Sequence, residues 1–226
     1  MAASYRKLSR LRRAGRSAFT LLETMMAMVI IGVGVLAFVD AQAAFTASNN
    51  WSSRAATGML LANEVREFSR RFPRHDPVTG LSLAAGSGGT LRGWGSETGE
   101  VTADDMDDLD DLDGVTFGES GVFAGPIDAF GDVVPDIAIN GDERLDEAGE
   151  VRPLRGWSQR VIVEKVSLYD FTSVLSNDQV QAPTAQMAGA DVDEFPLRVT
   201  VIVEYTDASS GDTTEVTRVT WVVPVD

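Results

Sequence analysis

Cysteine is absent from this 226-residue chain. That removes disulfides, zinc–thiolate sites, iron–sulfur clusters and cysteine nucleophiles together, and a body of this size can hold its shape without disulfides. Histidine is nearly absent. His75 stands alone, in the turn Phe72-Pro73-Arg74-His75, and reads as an exposed turn residue rather than the base of a Ser-His-Asp triad. Positive charge is scarce as well. The 19 Lys+Arg face 34 Asp+Glu, a formal net charge of -15, and so acidic a chain repels phosphate, which tells against a nucleic-acid partner. The basic charge gathers at one end: Arg6, Lys7, Arg10, Arg12, Arg13 and Arg16 fall within residues 1–18, with no acid among them. Taking those six from 19 leaves 13 basic side chains beyond the tip, against 34 acidic ones. Hydrophobic residues make up 44%, enough for a folded core. The chain is a basic tip, an apolar bar and an acidic body.

The bar is residues 18–39, AFTLLETMMAMVIIGVGVLAFV, in which Glu23 is the one charge. At about 1.5 Å per helical residue it reaches ~30 Å, the thickness of a bilayer's hydrocarbon layer. The basic tip holds the N-terminus on the cytoplasmic side and sends the body outward. A cleaved secretory signal would use Ala41-Gln42-Ala43 as its small-x-small site. Its apolar core of about 7–15 residues is shorter, however, and has no use for a glutamate at its start. A soluble core helix would not follow so basic a leader. At the edge of a bilayer the Glu23 carboxylate costs a few kcal/mol unless paired. A cut between Ala18 and Phe19 supplies the partner, a new α-amino group four residues away. In a bundle of parallel helices, the amine of one subunit meets the carboxylate of its neighbour.

The run Arg16-Ser17-Ala18-Phe19-Thr20-Leu21-Leu22-Glu23 resembles the cleavage and methylation signature of type IV prepilins and type II secretion pseudopilins. The resemblance covers roughly residues 12–45. It implies that a membrane aspartyl prepilin peptidase cuts after Ala18 and methylates Phe19, and that Glu23, fifth in the mature chain, serves assembly. Ala18 stands where the family usually has Gly, and cleavage there is expected to persist at a lower rate. Gly15 would place no Glu at the fifth position. Further partners implied are other pilin or pseudopilin subunits and the bacterial inner membrane, crossed once with the body extracytoplasmic. A strand opening Gly156-Trp157 before a terminal VTV-type hairpin is also similar to minor pilins of the pilus-modification class.

Beyond the bar, Leu61, Val65, Phe68 and Phe72 form one helical stripe, with Glu64, Arg66, Glu67, Arg70 and Arg71 around it. The spacing predicts a helix to about Arg71, stopped by Pro73 and Pro77. Gly32, Gly34 and Gly58 interrupt it. The Gly/Ser/Pro-rich stretch 73–100 reads as a loop. Strands are expected near 115–123 and 133–139, then over 157–168, 196–206 and 213–223, the last two joined by a hairpin at 207–212. The expected class is α+β and pilin-like, a long N-terminal helix packed on an antiparallel sheet. Its parts are a basic leader (1–18, removed), a membrane or filament-core half-helix (19–45), an amphipathic continuation (46–72) and an acidic β-rich body (73–226).

Two acidic segments invite a metal reading. Asp104–Asp113, DDMDDLDDLD, has the density a hard cation wants but not the EF-hand spacing, and reads as a solvated loop. Asn140, Asp142 and Asp146 have the alternate-ligand spacing of a dockerin-like calcium loop, although Ala138 and Glu143 occupy its first-Asp and Gly places. The expectation is no cofactor and no tight calcium binding in either segment, calcium at Asn140, Asp142 and Asp146 being the one cofactor left open. No nucleophile stands beside a base, so no catalytic residue is assigned. Two functions remain. One is a structural minor pilin or pseudopilin of a type IV pilus or type II secretion system. The other is a membrane-anchored extracytoplasmic binding module, its calcium dependence left open, that does not polymerise.

Overall fold

The computed structural model describes residues 20–84, 89–185 and 187–225; the leader, Ala18 and Phe19 lie outside them. The chain forms two compact units, Met1–Asn50 and Trp51–Asp226, and helix α1 (Leu21–Ser69, 49 residues) contributes to both.

In the first unit Thr20 opens the helix, its Oγ1 accepting the Glu23 N–H at 3.3 Å. Side chains from Leu21 to Phe45 are exposed, including Met25, Met26, Val29, Ile30, Ile31, Leu36 and Phe38. This is the one helix among the described residues long and apolar enough to cross a membrane.

In the second unit the expected stripe is the buried one. Leu61, Val65 and Phe68 are buried, and Phe72 packs partly against them. Each such burial is worth about 1.5–3 kcal/mol. Gly58 belongs to the same face: a Cβ there would lie 2.9 Å from Val216 Cγ1, so its glycine admits a close approach to the sheet. The helix ends at Ser69, two residues before the expected Arg71. Phe72 precedes Pro73, which disfavours helical backbone at Phe72, and the chain tightens into Arg70 N–H→Glu67 O and Phe72 N–H→Ser69 O turns.

Four strands make an antiparallel sheet. In chain order β1 (Ser82–Leu83) and β2 (Leu91–Arg92) form a separate short pair, and β3 (Thr116–Gly118), β4 (Trp157–Lys165), β5 (Leu197–Thr206) and β6 (Thr213–Val223) lie side by side in that order. Val161 faces Val201 and Val201 faces Val219 across the ladders. Leu197, Val199, Val201 and Val203 of β5 are fully buried and share one core with Leu61, Ala62, Val65 and Phe68 of α1. Gln159 on β4, also buried, ties the layers: its Oε1 accepts Ile127 N–H, and its Nε2 donates to Leu61 O and Ile127 O. The α+β expectation of a long helix packed on an antiparallel sheet is met.

Four local expectations need correction. The 73–100 loop contains the β1–β2 pair. β3 stops at Gly118, whose φ of +104° and Cβ position 2.3 Å from Trp157 O turn the chain away, so no strand continues to residue 123. β4 ends at Lys165, short of residue 168. Residues 133–139 form isolated bridges such as Pro135 with Pro153 rather than a strand, because proline has no N–H for a continuing ladder.

Candidate functional site

At the start of α1, Glu23 is the only charged residue between Thr20 and Val39. A carboxylate in the first helical turn suits the positive end of the helix dipole, and Thr20 fixes that turn. Leu21, Leu22, Met25 and Met26 near it are apolar and exposed, and no ion pair engages it among the described residues. Its expected partner, the amine left at Phe19, falls outside those residues, as does Ala18.

The acidic run in the body is a solvated loop only in part: Asp104, Asp105 and Asp107 are exposed, but the rest is drawn inward. Met106, Leu109 and Leu112 recur every third residue, and the chain around Asp110–Leu112 is a 3₁₀ turn, in which residues three apart share a face. All three apolar side chains are buried in the main core, and they carry the intervening acids in with them: Asp108, Asp110 and Asp111 have no exposed surface.

Buried carboxylates must find donors, and here the backbone supplies them. Asp108 Oδ1 accepts the Asp110 and Asp111 N–H groups at 2.8 and 3.0 Å. Asp111 Oδ2 accepts those of Asp107 and Asp108, both at 3.1 Å. Asp113 Oδ1 accepts Val163 N–H of β4 at 3.0 Å. Asp110 Oδ1 accepts Gly95 N–H at 2.8 Å, while its Oδ2 bonds His75 Nδ1. His75 is therefore a buried partner of Asp110 and not an exposed turn residue; its Nε2 has no partner.

Two oxygens remain without donors, Asp108 Oδ2 and Asp111 Oδ1. Carboxylates also crowd together. Glu97, Glu100 and Asp111 form one trio, and Asp107, Asp108 and Asp111 another, the facing atoms of each trio lying within 4.8 Å of one another. Burial, then the negative charges of Asp110 and Asp111, pushes Asp108 up to about 8. Burial, then Asp111 and Glu100, pushes Glu97 up to about 7. Burial also raises Glu100 and Asp111, against backbone donors that pull them down. Glu97 and Glu100 were hidden in a stretch that reads as loop. The every-third-residue apolar spacing within the aspartates was the signal that could have found the buried cluster.

Asn140, Asp142 and Asp146 lie on exposed hairpins closed by the bridges Ile137 with Glu143 and Leu145 with Val151. Asn140 Nδ2 donates to Asp142 Oδ2 at 2.6 Å. Asp146 Oδ1 instead accepts Ala148 and Glu150 N–H within its own turn. Among the described residues neither Asp142 nor Asp146 joins a trio of acidic groups.

The family model for the prokaryotic N-terminal methylation motif matches residues 13–39. No curated protein and no solved structure matches the chain. The chain thus carries the prepilin-type signature, over the end of the leader and the apolar half of α1.

Proposed function

We propose that this chain is a precursor cut between Ala18 and Phe19 by a prepilin peptidase and methylated at Phe19. On this reading it serves as a structural minor pilin or pseudopilin of a type IV pilus or type II secretion system. The observation that carries the reading is the N-terminal methylation motif at residues 13–39, running into a helix whose apolar side chains are exposed around a single carboxylate, Glu23. A lone anchor has no use for that carboxylate, whereas a bundle of such helices pairs it with the α-amine of a neighbouring Phe19. The basic leader keeps the N-terminus cytoplasmic, which puts the body outside the inner membrane. The body contributes a surface rather than a reaction.

Intact mass and N-terminal sequencing of protein recovered from membranes test the processing step. A mature start at Phe19 with one added methyl is expected; a start near residue 44, or an intact Met1, refutes the reading. Assembly is tested by Glu23→Ala. Inside an apolar bundle, removing one partner of a buried ion pair costs about 3–5 kcal/mol, so cleavage and insertion should persist while the amount in sheared filaments falls. Equal incorporation removes the pairing role from Glu23. Absence of both versions from filaments favours the membrane-anchored binding module.

A further inference from the structure

We propose that Asp107, Asp108 and Asp111, with Glu97 and Glu100 beside them, form a binding site for one hard divalent cation of the calcium class. The two trios share Asp111, so five carboxylates converge on one small region. Asp108 and Asp111 are fully buried, and each has already committed one oxygen to backbone N–H groups. Their other oxygens, Asp108 Oδ2 and Asp111 Oδ1, are buried and receive no hydrogen bond from the backbone or from a basic side chain, Asp111 having only the neighbouring Glu97 carboxyl beside it. An unpaired buried carboxylate oxygen is costly.

No side-chain cation does the job. Among the described residues none of the five acids takes part in an ion pair with Lys or Arg, and His75 is directed to Asp110 instead. The donor set is all oxygen, which suits Mg²⁺, Ca²⁺ or Mn²⁺ rather than metals that prefer nitrogen or sulfur. Ca²⁺ takes six to eight oxygens in flexible geometry, whereas Mg²⁺ demands a near-ideal octahedron; an irregular group of five carboxylates fits the former. Asp107 and Glu97 are exposed, which leaves an entrance.

The expected consequence is mechanical. A cation there ties the turn at Glu97–Glu100 to the segment whose Met106, Leu109 and Leu112 sit in the core with Leu61, Val65 and Phe68. It therefore stabilises the body. This inference rests on residues 97–111 alone and does not depend on processing or assembly, so either reading can fail without the other.

The test uses the full-length chain in detergent, stripped with a chelator and titrated with CaCl₂ while thermal unfolding and binding heat are followed. Calcium should raise Tm with a Kd at or below the roughly 10⁻⁴–10⁻³ M of extracellular calcium modules. Asp111→Asn should abolish the shift. Glu97→Gln removes a ligand on the exposed side that holds no backbone, so the fold is retained, and affinity should weaken by about tenfold or more. Asp142→Asn, in the exposed hairpins, should bind as the parent does. The proposal is overturned by no heat and no Tm change up to about 10 mM calcium. It is equally overturned by an undiminished response in both Asp111→Asn and Glu97→Gln, or by a response lost in Asp142→Asn. Stabilisation by acid alone, without any calcium response, means that protons fill the cluster and also overturns it.

Discussion

The body has two acid-rich stretches, Asp104–Asp113 and the hairpins from Asp136 to Glu150, and they have opposite fates. In the first, Met106, Leu109 and Leu112 recur every third residue and all three are buried in the core, the last of them within the 3₁₀ turn Asp110–Leu112. Asp108, Asp110 and Asp111 follow; Asp108 and Asp111 each place one oxygen on backbone N–H groups of the same segment, and Asp110 bonds Gly95 N–H and His75. In the second, Ile137, Ile139, Leu145 and Val151 are spread over successive tight turns and remain exposed. Acid content does not decide burial. The period of the apolar residues, matched to the local helix or strand, does.

The largest effect expected from this contrast is in the core. Leu112→Ala should cost about 2–5 kcal/mol of unfolding free energy, whereas Leu145→Ala, with its side chain half in water, should stay within about 0.5 kcal/mol. Chemical denaturation of the two variants measures the difference. Equal losses would mean that the hairpins hold a second core and would break the comparison.

The next effect concerns a buried charge on the same side as the first stretch. Lys165 at the end of β4 is fully buried, and its Nζ donates to Asn177 O and to Val192 O, the latter at 2.6 Å. Trp94 and Phe195 lie beside it. Burial pushes its pKa from the ordinary 10.5 down to about 8, with Asp178, Asp110 and Asp193 acting the other way. The unfolded chain therefore holds a proton that the folded one releases between those values, and stability from this group rises with pH across that window. Melting from pH 7.5 to 10.5 should show a gain of about 1–3 kcal/mol in the parent. The gain should be missing in Lys165→Met; an identical slope in both would assign it to other groups.

The smallest effect is on the exposed stretch. Asp136 faces Arg144 at 3.8 Å and Arg152 at 3.7 Å. Asp136→Asn should cost about 0.2–1 kcal/mol, and the difference should fade in roughly 1 M salt. A larger, salt-insensitive loss would show these hairpins to be held by charge more firmly than their exposure implies.

Several elements were legible beforehand because their signals are local. The α1 stripe depends on residues three and four apart, and β5 and β6 on alternation, so each was readable within about ten residues. The 207–212 connection likewise closes on itself through Asp207 N–H→Asp212 O. Elements whose ends are set by distant groups were not. β3 stops where Gly118 meets Trp157 O, and the 133–139 strand fails because its partners are prolines and turns. In the acidic cluster the composition was visible and its burial was not, since exposure depends on what the rest of the chain lays over it.

Contiguous residues by themselves determined the N-terminal chemistry. The methylation motif at residues 13–39 and an apolar bar of bilayer length are read from the order of residues along the chain, and no folding alters that order. Only the tertiary structure decided that Gly58 lets the helix approach Val216, that Gln159 joins β4 to Leu61 and Ile127, and that His75 meets Asp110 across 35 residues. The same holds for the two oxygens left bare on Asp108 and Asp111. Each depends on groups that only the packed core brings within bonding distance, and it is the low-dielectric interior that makes such contacts, or their absence, matter.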